Sequence, residues 1–160
     1  MMDMRGKTVG LIIITGLWIT TACDPHRVYE KNTRLPSAEW SKEQPVIFNV
    51  PIEDTASAHH VFINIRNSGK YENRNLFLFI TTTAPSGHFV TDTLECLLAD
   101  ENGKWYGSGL GDLYFVQAPY KMGVKFPYPG MYRFEIKQAM RRDILKHITD
   151  IGLRIEKVEP

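Results

Sequence analysis

The apolar residues of this 160-residue chain recur at every second position, in short runs cut by proline, glycine and acidic turns. A two-residue period puts successive side chains on opposite faces of an extended backbone, so the pattern demands strands with one dry face. Val46, Phe48, Val50 and Ile52 alternate with Ile47, Asn49 and Pro51, and Pro45 and Pro51 place that run near a sheet edge. Val61, Ile63 and Ile65 alternate with Phe62, Asn64 and Arg66. Tyr132, Phe134 and Ile136 alternate with Arg133, Glu135 and Lys137, and Ile151, Leu153 and Ile155 repeat the motif near the end.

Other runs fill in the plan. Leu76, Leu78 and Ile80 share one face of Asn75 to Thr83 while Phe77 and Phe79 occupy the other, which predicts a central strand covered on both sides. Val90, Leu94, Cys96 and Leu98 follow on one face. Asp100-Glu101-Asn102-Gly103 reads as a hairpin turn of the primed type. Between Gln138 and Ile148 the period changes: Met140, Ile144 and Ile148 recur every fourth residue, which predicts a short helix or helical crossover. The predicted fold is therefore all-β, an antiparallel sandwich of jelly-roll type with about eight strands, a closed barrel being the alternative.

The N-terminus has a different logic. Arg5 and Lys7 precede an apolar run from Val9 to Ile19, and small residues lead to Cys23. That is the order of a secretory signal, too short for a membrane span. With cleavage before Cys23, its thiol and amine would carry acyl chains, each buried methylene adding about 0.8 kcal/mol of membrane affinity. Thr20 stands where a bacterial lipidation motif usually has leucine; an ordinary cleaved signal with an incidental Cys23 is the alternative. Residues 1–22 are read as the signal, 23–40 as lipidated cysteine and polar tether, and 41–160 as the sandwich domain. Lys and Arg number 19 and Asp and Glu 18, a balance that gives no reason to expect nucleic acid. If Cys23 is acylated, Cys96 has no disulfide partner and is expected to be a buried thiol.

The search for chemistry finds no catalytic centre. His59 and His60 are neighbours on a strand, point to opposite faces and cannot share a metal ion. Gly107, Gly109 and Gly111 lack the helix and Lys-Ser or Lys-Thr of a phosphate loop, so a bulge or close backbone approach is expected. Asp92 and Glu95 face opposite sides of a strand. No cofactor, metal or small-molecule substrate is expected. Trp105, Tyr106 and Tyr114 cluster around the glycines and are the candidates for a surface that contacts a protein partner or stacks on a glycan.

Four blocks of residues resemble a known family. They are Ala22-Cys23-Asp24; Arg66-Asn67 with Tyr71 and Asn75-Leu76; Asp92 to Glu95 through Leu98-Ala99-Asp100 to Gly103-Lys104-Trp105-Tyr106-Gly107, with Gly109 and Gly111-Asp112; and Gly130, Tyr132, Phe134, Ile136, Gln138 and Met140-Arg141 with Asp150 to Glu156. In these the chain resembles the gliding-motility lipoprotein GldH family of Bacteroidota. The resemblance implies a lipid-anchored envelope protein, an accessory or scaffold of the machinery for gliding and adhesin secretion, with membrane attachment at Cys23 and other envelope proteins as partners. It implies no catalytic residue. The expected location is the periplasmic face of the outer membrane rather than the inner membrane, although Asp24 after Cys23 would retain a lipoprotein in the inner membrane of enteric bacteria. The alternative is a carbohydrate-binding envelope lipoprotein using the exposed aromatics.

Overall fold

The computed structural model describes residues 24–159, and Cys23 and the signal lie outside them. Among the described residues eleven strands follow one another: β1 (Arg27–Arg34), β2 (Glu39–Ser41), β3 (Val46–Ile52), β4 (His59–Ser68), β5 (Asn75–Thr83), β6 (Phe89–Leu97), β7 (Ser108–Leu110), β8 (Leu113–Val124), β9 (Gly130–Gln138), β10 (Ile144–Lys146) and β11 (Ile148–Lys157). One sheet runs β1-β11-β4-β8-β7 and the other β3-β9-β5-β6, with β2 and β10 forming a separate two-stranded ribbon. All pairings are antiparallel.

The eight long strands pair as nested partners: β1 with β11, β3 with β9, β4 with β8, and β5 with β6. The chain is one long hairpin closed at β5–β6 and rolled so that its pairs fall alternately into two sheets. That is the jelly-roll arrangement. The additional strands β2, β7 and β10 have three residues each, too short to show a period in sequence.

The core lies between the sheets and uses the side chains that the alternation selects. Phe48, Val50 and Ile52 from β3, Ile63 and Ile65 from β4, Leu76, Leu78 and Ile80 from β5, Phe134 and Ile136 from β9, and Leu153 and Ile155 from β11 are at most 1% exposed. At about 25 cal/mol per Å² of apolar area, each such side chain contributes about 1.5–3 kcal/mol over its exposed state. The Cys96 thiol is buried and free, and burial pushes its pKa up to about 12, so it packs as a small apolar group.

Four expectations need correction. The stretch 138–148 is not helical. β9 runs to Gln138, whose side-chain amide donates to the Arg142 and Asp143 carbonyls and whose Oε1 accepts from the Met140 N–H. This ties a tight loop that leads into β10, and the fourfold spacing of Met140, Ile144 and Ile148 is coincidental. Arg27–Arg34 is not a free tether but an edge strand on β11, so the folded body begins well before residue 41. β5 is central, yet Phe79 on its outer face is 47% exposed, so that face is wet. The 100–103 turn is closed by Gly103 N–H to the Asp100 carbonyl (3.1 Å), and only Gly103 has a positive φ (+80°), whereas a primed turn would need one at Asn102 too.

His59 is fully buried and neither ring nitrogen has a hydrogen-bond partner. Burial holds its pKa below the usual histidine value. The unfolded chain therefore takes up a proton near pH 6.5 that the folded chain refuses, and stability falls as pH drops below about 6.5. His59→Leu should raise the unfolding free energy by about 1 kcal/mol and flatten its slope between about pH 5 and 6.5, as measured by urea titration at several pH values.

Candidate functional site

The two ends of the sandwich differ, and the differences locate the candidate functional surfaces. The first end is where the described chain begins. Here Arg154, on the outer face of β11, gathers three carboxylates. Its Nη1 donates to Glu30 Oε2 at 2.6 Å, while Nη2 reaches Asp24 and Nε reaches Glu156. Register explains the meeting. Arg154 lies opposite Glu30 across the β1–β11 ladder, and Asp24 folds back over it just before β1. Asp24 also accepts the His26 N–H at 3.2 Å. The Arg154 guanidinium, before other influences, holds the Asp24 carboxyl below the ordinary carboxylate range.

The same end holds a cleft of about 590 Å³ between the sheets. Its floor is Val61, Phe126, Tyr132 and Phe134, and Val90 and Val124 stand on its walls. One side is strapped by β8 against β6: the Tyr120 hydroxyl donates to Asp92 at 2.7 Å and the Lys121 ammonium lies 3.0 Å from the same carboxylate. The Tyr120 hydrogen bond is the main influence holding Asp92 low.

The opposite end carries the aromatics singled out from the sequence. Trp105 sits between Tyr71 and Tyr114, with ring centroids 6.5 and 5.8 Å away. Trp105 and Tyr114 are half-buried, and Tyr106, the third, is 44% exposed. The glycine-rich segment is a hairpin, β7–β8, in which a side chain on Gly107 would overlap the Phe115 carbonyl oxygen. Leu110 at its tip is 91% exposed. His59 and His60 diverge: the first is buried, while the Nδ1 of the second accepts the Gly123 N–H at 3.0 Å. Among the described residues no three His, Cys, Asp or Glu side chains come together as a metal-binding group. Neither the Arg154 cluster nor the cleft was singled out from the sequence. Arg154 and Glu156 read there as the wet positions of a strand, and the cleft lining is scattered from Val61 to Phe134.

A family model described as GldH lipoprotein matches residues 27–155, from the first strand to the last. The chain belongs to the GldH lipoprotein family. Among similar GldH proteins, the gliding motility lipoprotein GldH homolog of Christiangramia forsetii is 38% identical over 161 residues, covering 96% of this chain and 98% of the relative. The gliding motility lipoprotein GldH of Flavobacterium johnsoniae is 35% identical over 161 residues, covering 96% and 99%. A solved structure of infectious bursal disease virus, Gx strain, aligns with 84% of this GldH-family chain and 30% of its own at 12% identity and a TM-score of 0.35, too slight a likeness to argue from. Family membership makes this chain a lipoprotein of the cell envelope.

Proposed function

We propose that this protein is a non-enzymatic scaffold or accessory subunit of the gliding and adhesin-secretion machinery, anchored by acyl chains on Cys23 to the periplasmic face of the outer membrane. The family match, which runs the length of the folded body, carries the reading. The structure adds a supporting layout. Asp24 is tied to the sandwich by Arg154, so an acylated Cys23 would join the body at that end with no long spacer. The run of β8 from Leu113 to the level of Lys121–Val124 is about 30 Å at about 3.3 Å per residue, so the Tyr106, Leu110 and Leu113 tip stands about that far from the end that carries Asp24. That tip, with Trp105 and Tyr114 bracing it from behind, is the surface for an envelope partner.

In a gliding host, replacement of the native gene by the Cys23→Ala form should abolish fatty-acid labelling and release the protein on washing without detergent. Spreading on agar should fall with it. Labelling equal to wild type would overturn the anchoring, and normal gliding and adhesin secretion in a deletion strain would overturn the machine role.

A further inference from the structure

The end of the sandwich that carries Asp24 also carries the apolar cleft, and neither feature requires the other. Across the first sheet the order at this end is Arg27, Glu156, His60 and then Lys121 to Val124. Three strand spacings of about 4.8 Å place the cleft wall within about 15 Å of the start of β1. The floor is closed by buried rings and the mouth is open to the surface. Phe89, Val90, Met122 and Tyr128, at or beside the mouth, are each at least 53% exposed. Lys125 on the rim has no acidic partner among the described residues. A soluble protein seldom leaves a dry-floored cleft ringed with exposed apolar side chains unless something apolar fills it. A bilayer lies where the anchor is.

We infer that this cleft is a binding site for one acyl chain of a membrane phospholipid, with Lys125 beside the lipid phosphate, so that the sandwich stands end-on on the bilayer. The inference rests on the acylated Cys23 proposed above. Anchor and cleft then act together: the acyl groups on Cys23 hold the body near the membrane, and the cleft fixes which end touches it. The Phe89, Val90, Met122 and Tyr128 side chains enter the interfacial layer, where aromatic and apolar groups of this kind are stable.

The test uses the full-length lipoprotein in vesicles of phosphatidylethanolamine containing a small fraction of phospholipid with a photoactivatable diazirine in its acyl chain. After illumination, labelled peptides are mapped by mass spectrometry, and the intact mass reports the acylation of Cys23. The expected result is label concentrated on residues 84–90 and 121–128, at least fivefold above residues 105–114. Val90→Glu, a change at an exposed position that leaves the core intact, should remove most of that label without lowering the unfolding midpoint. Label spread evenly over both ends, or unchanged by Val90→Glu, on a protein whose Cys23 carries its acyl mass, would overturn the cleft site and leave the anchor standing. A Cys23 without acyl mass would overturn the anchoring and, with it, this orientation.

Discussion

Trp40→Ala should lower the unfolding free energy by about 3–5 kcal/mol, at least a fifth of the stability of an ordinary domain. Trp40 is on β2, is 0% exposed, and lies opposite Leu145 in the β2–β10 ribbon. Truncation removes its large buried apolar surface and opens a cavity that a sandwich core, braced by two sheets, collapses poorly. The indole N–H also donates to the Gln44 carbonyl at 2.9 Å. Trp40→Phe separates the two effects: it keeps most of the volume but leaves that carbonyl without its donor, and should cost about 1–2 kcal/mol. Urea unfolding followed by circular dichroism measures both; a loss below 1 kcal/mol for the alanine variant would show that the ribbon is not part of the cooperative core.

Arg154→Ala should cost about 2–3 kcal/mol at neutral pH, at or below the lower limit for breaking a fully buried ion pair because the cluster is partly open to water. Its side chain is only 15% exposed and faces Asp24, Glu30 and Glu156. Removal of the guanidinium leaves three carboxylates converging on one point. The pH dependence gives the sharper test. In the wild type the Asp24 carboxyl is held low by Arg154, so its contribution is fully present above about pH 4 and is lost as pH falls through its folded-state value. In the variant that contribution is gone, and the mutual repulsion is relieved by protonation. The stability gap between the two proteins should therefore narrow as pH falls from about 6 to 3. A gap independent of pH would mean that Arg154 acts through packing alone.

The parts of the fold that could be read beforehand are those where one face is dry and the other wet. β3, β4, β9 and β11 show this in sequence because their inward residues are mainly Val, Ile, Leu, Phe and Tyr and their outward ones, Ile47 and Phe62 apart, mainly polar. β1 failed the same reading because an edge strand packs little: of Arg27 to Arg34, Tyr29 is the residue that reaches the core. Its ladder to β11 is backbone hydrogen bonding, which leaves no trace in side-chain pattern. The loop after β9 was misread because three apolar residues at helical spacing outweighed Gln138, whose side chain ties the chain into a turn. At the candidate site, the aromatics around Trp105 were visible as a local cluster. The cleft was not, because Val61, Val90, Phe126 and Phe134 meet only when the two sheets face each other.

The nested pairing of the strands bears on when the chain can fold. β11, the last of the described strands, fills the slot between β1 and β4, and Leu153 and Ile155 on it lie in the core. A chain that emerges N-terminus first has no partner for β1, and an open gap beside β4, until β11 has emerged. Closure of the first sheet is thereby postponed until β11 is available. The non-local contacts that impose this delay also make the subsequent folding slow, leaving a window in which the edges of β1 and β4 stand unpaired.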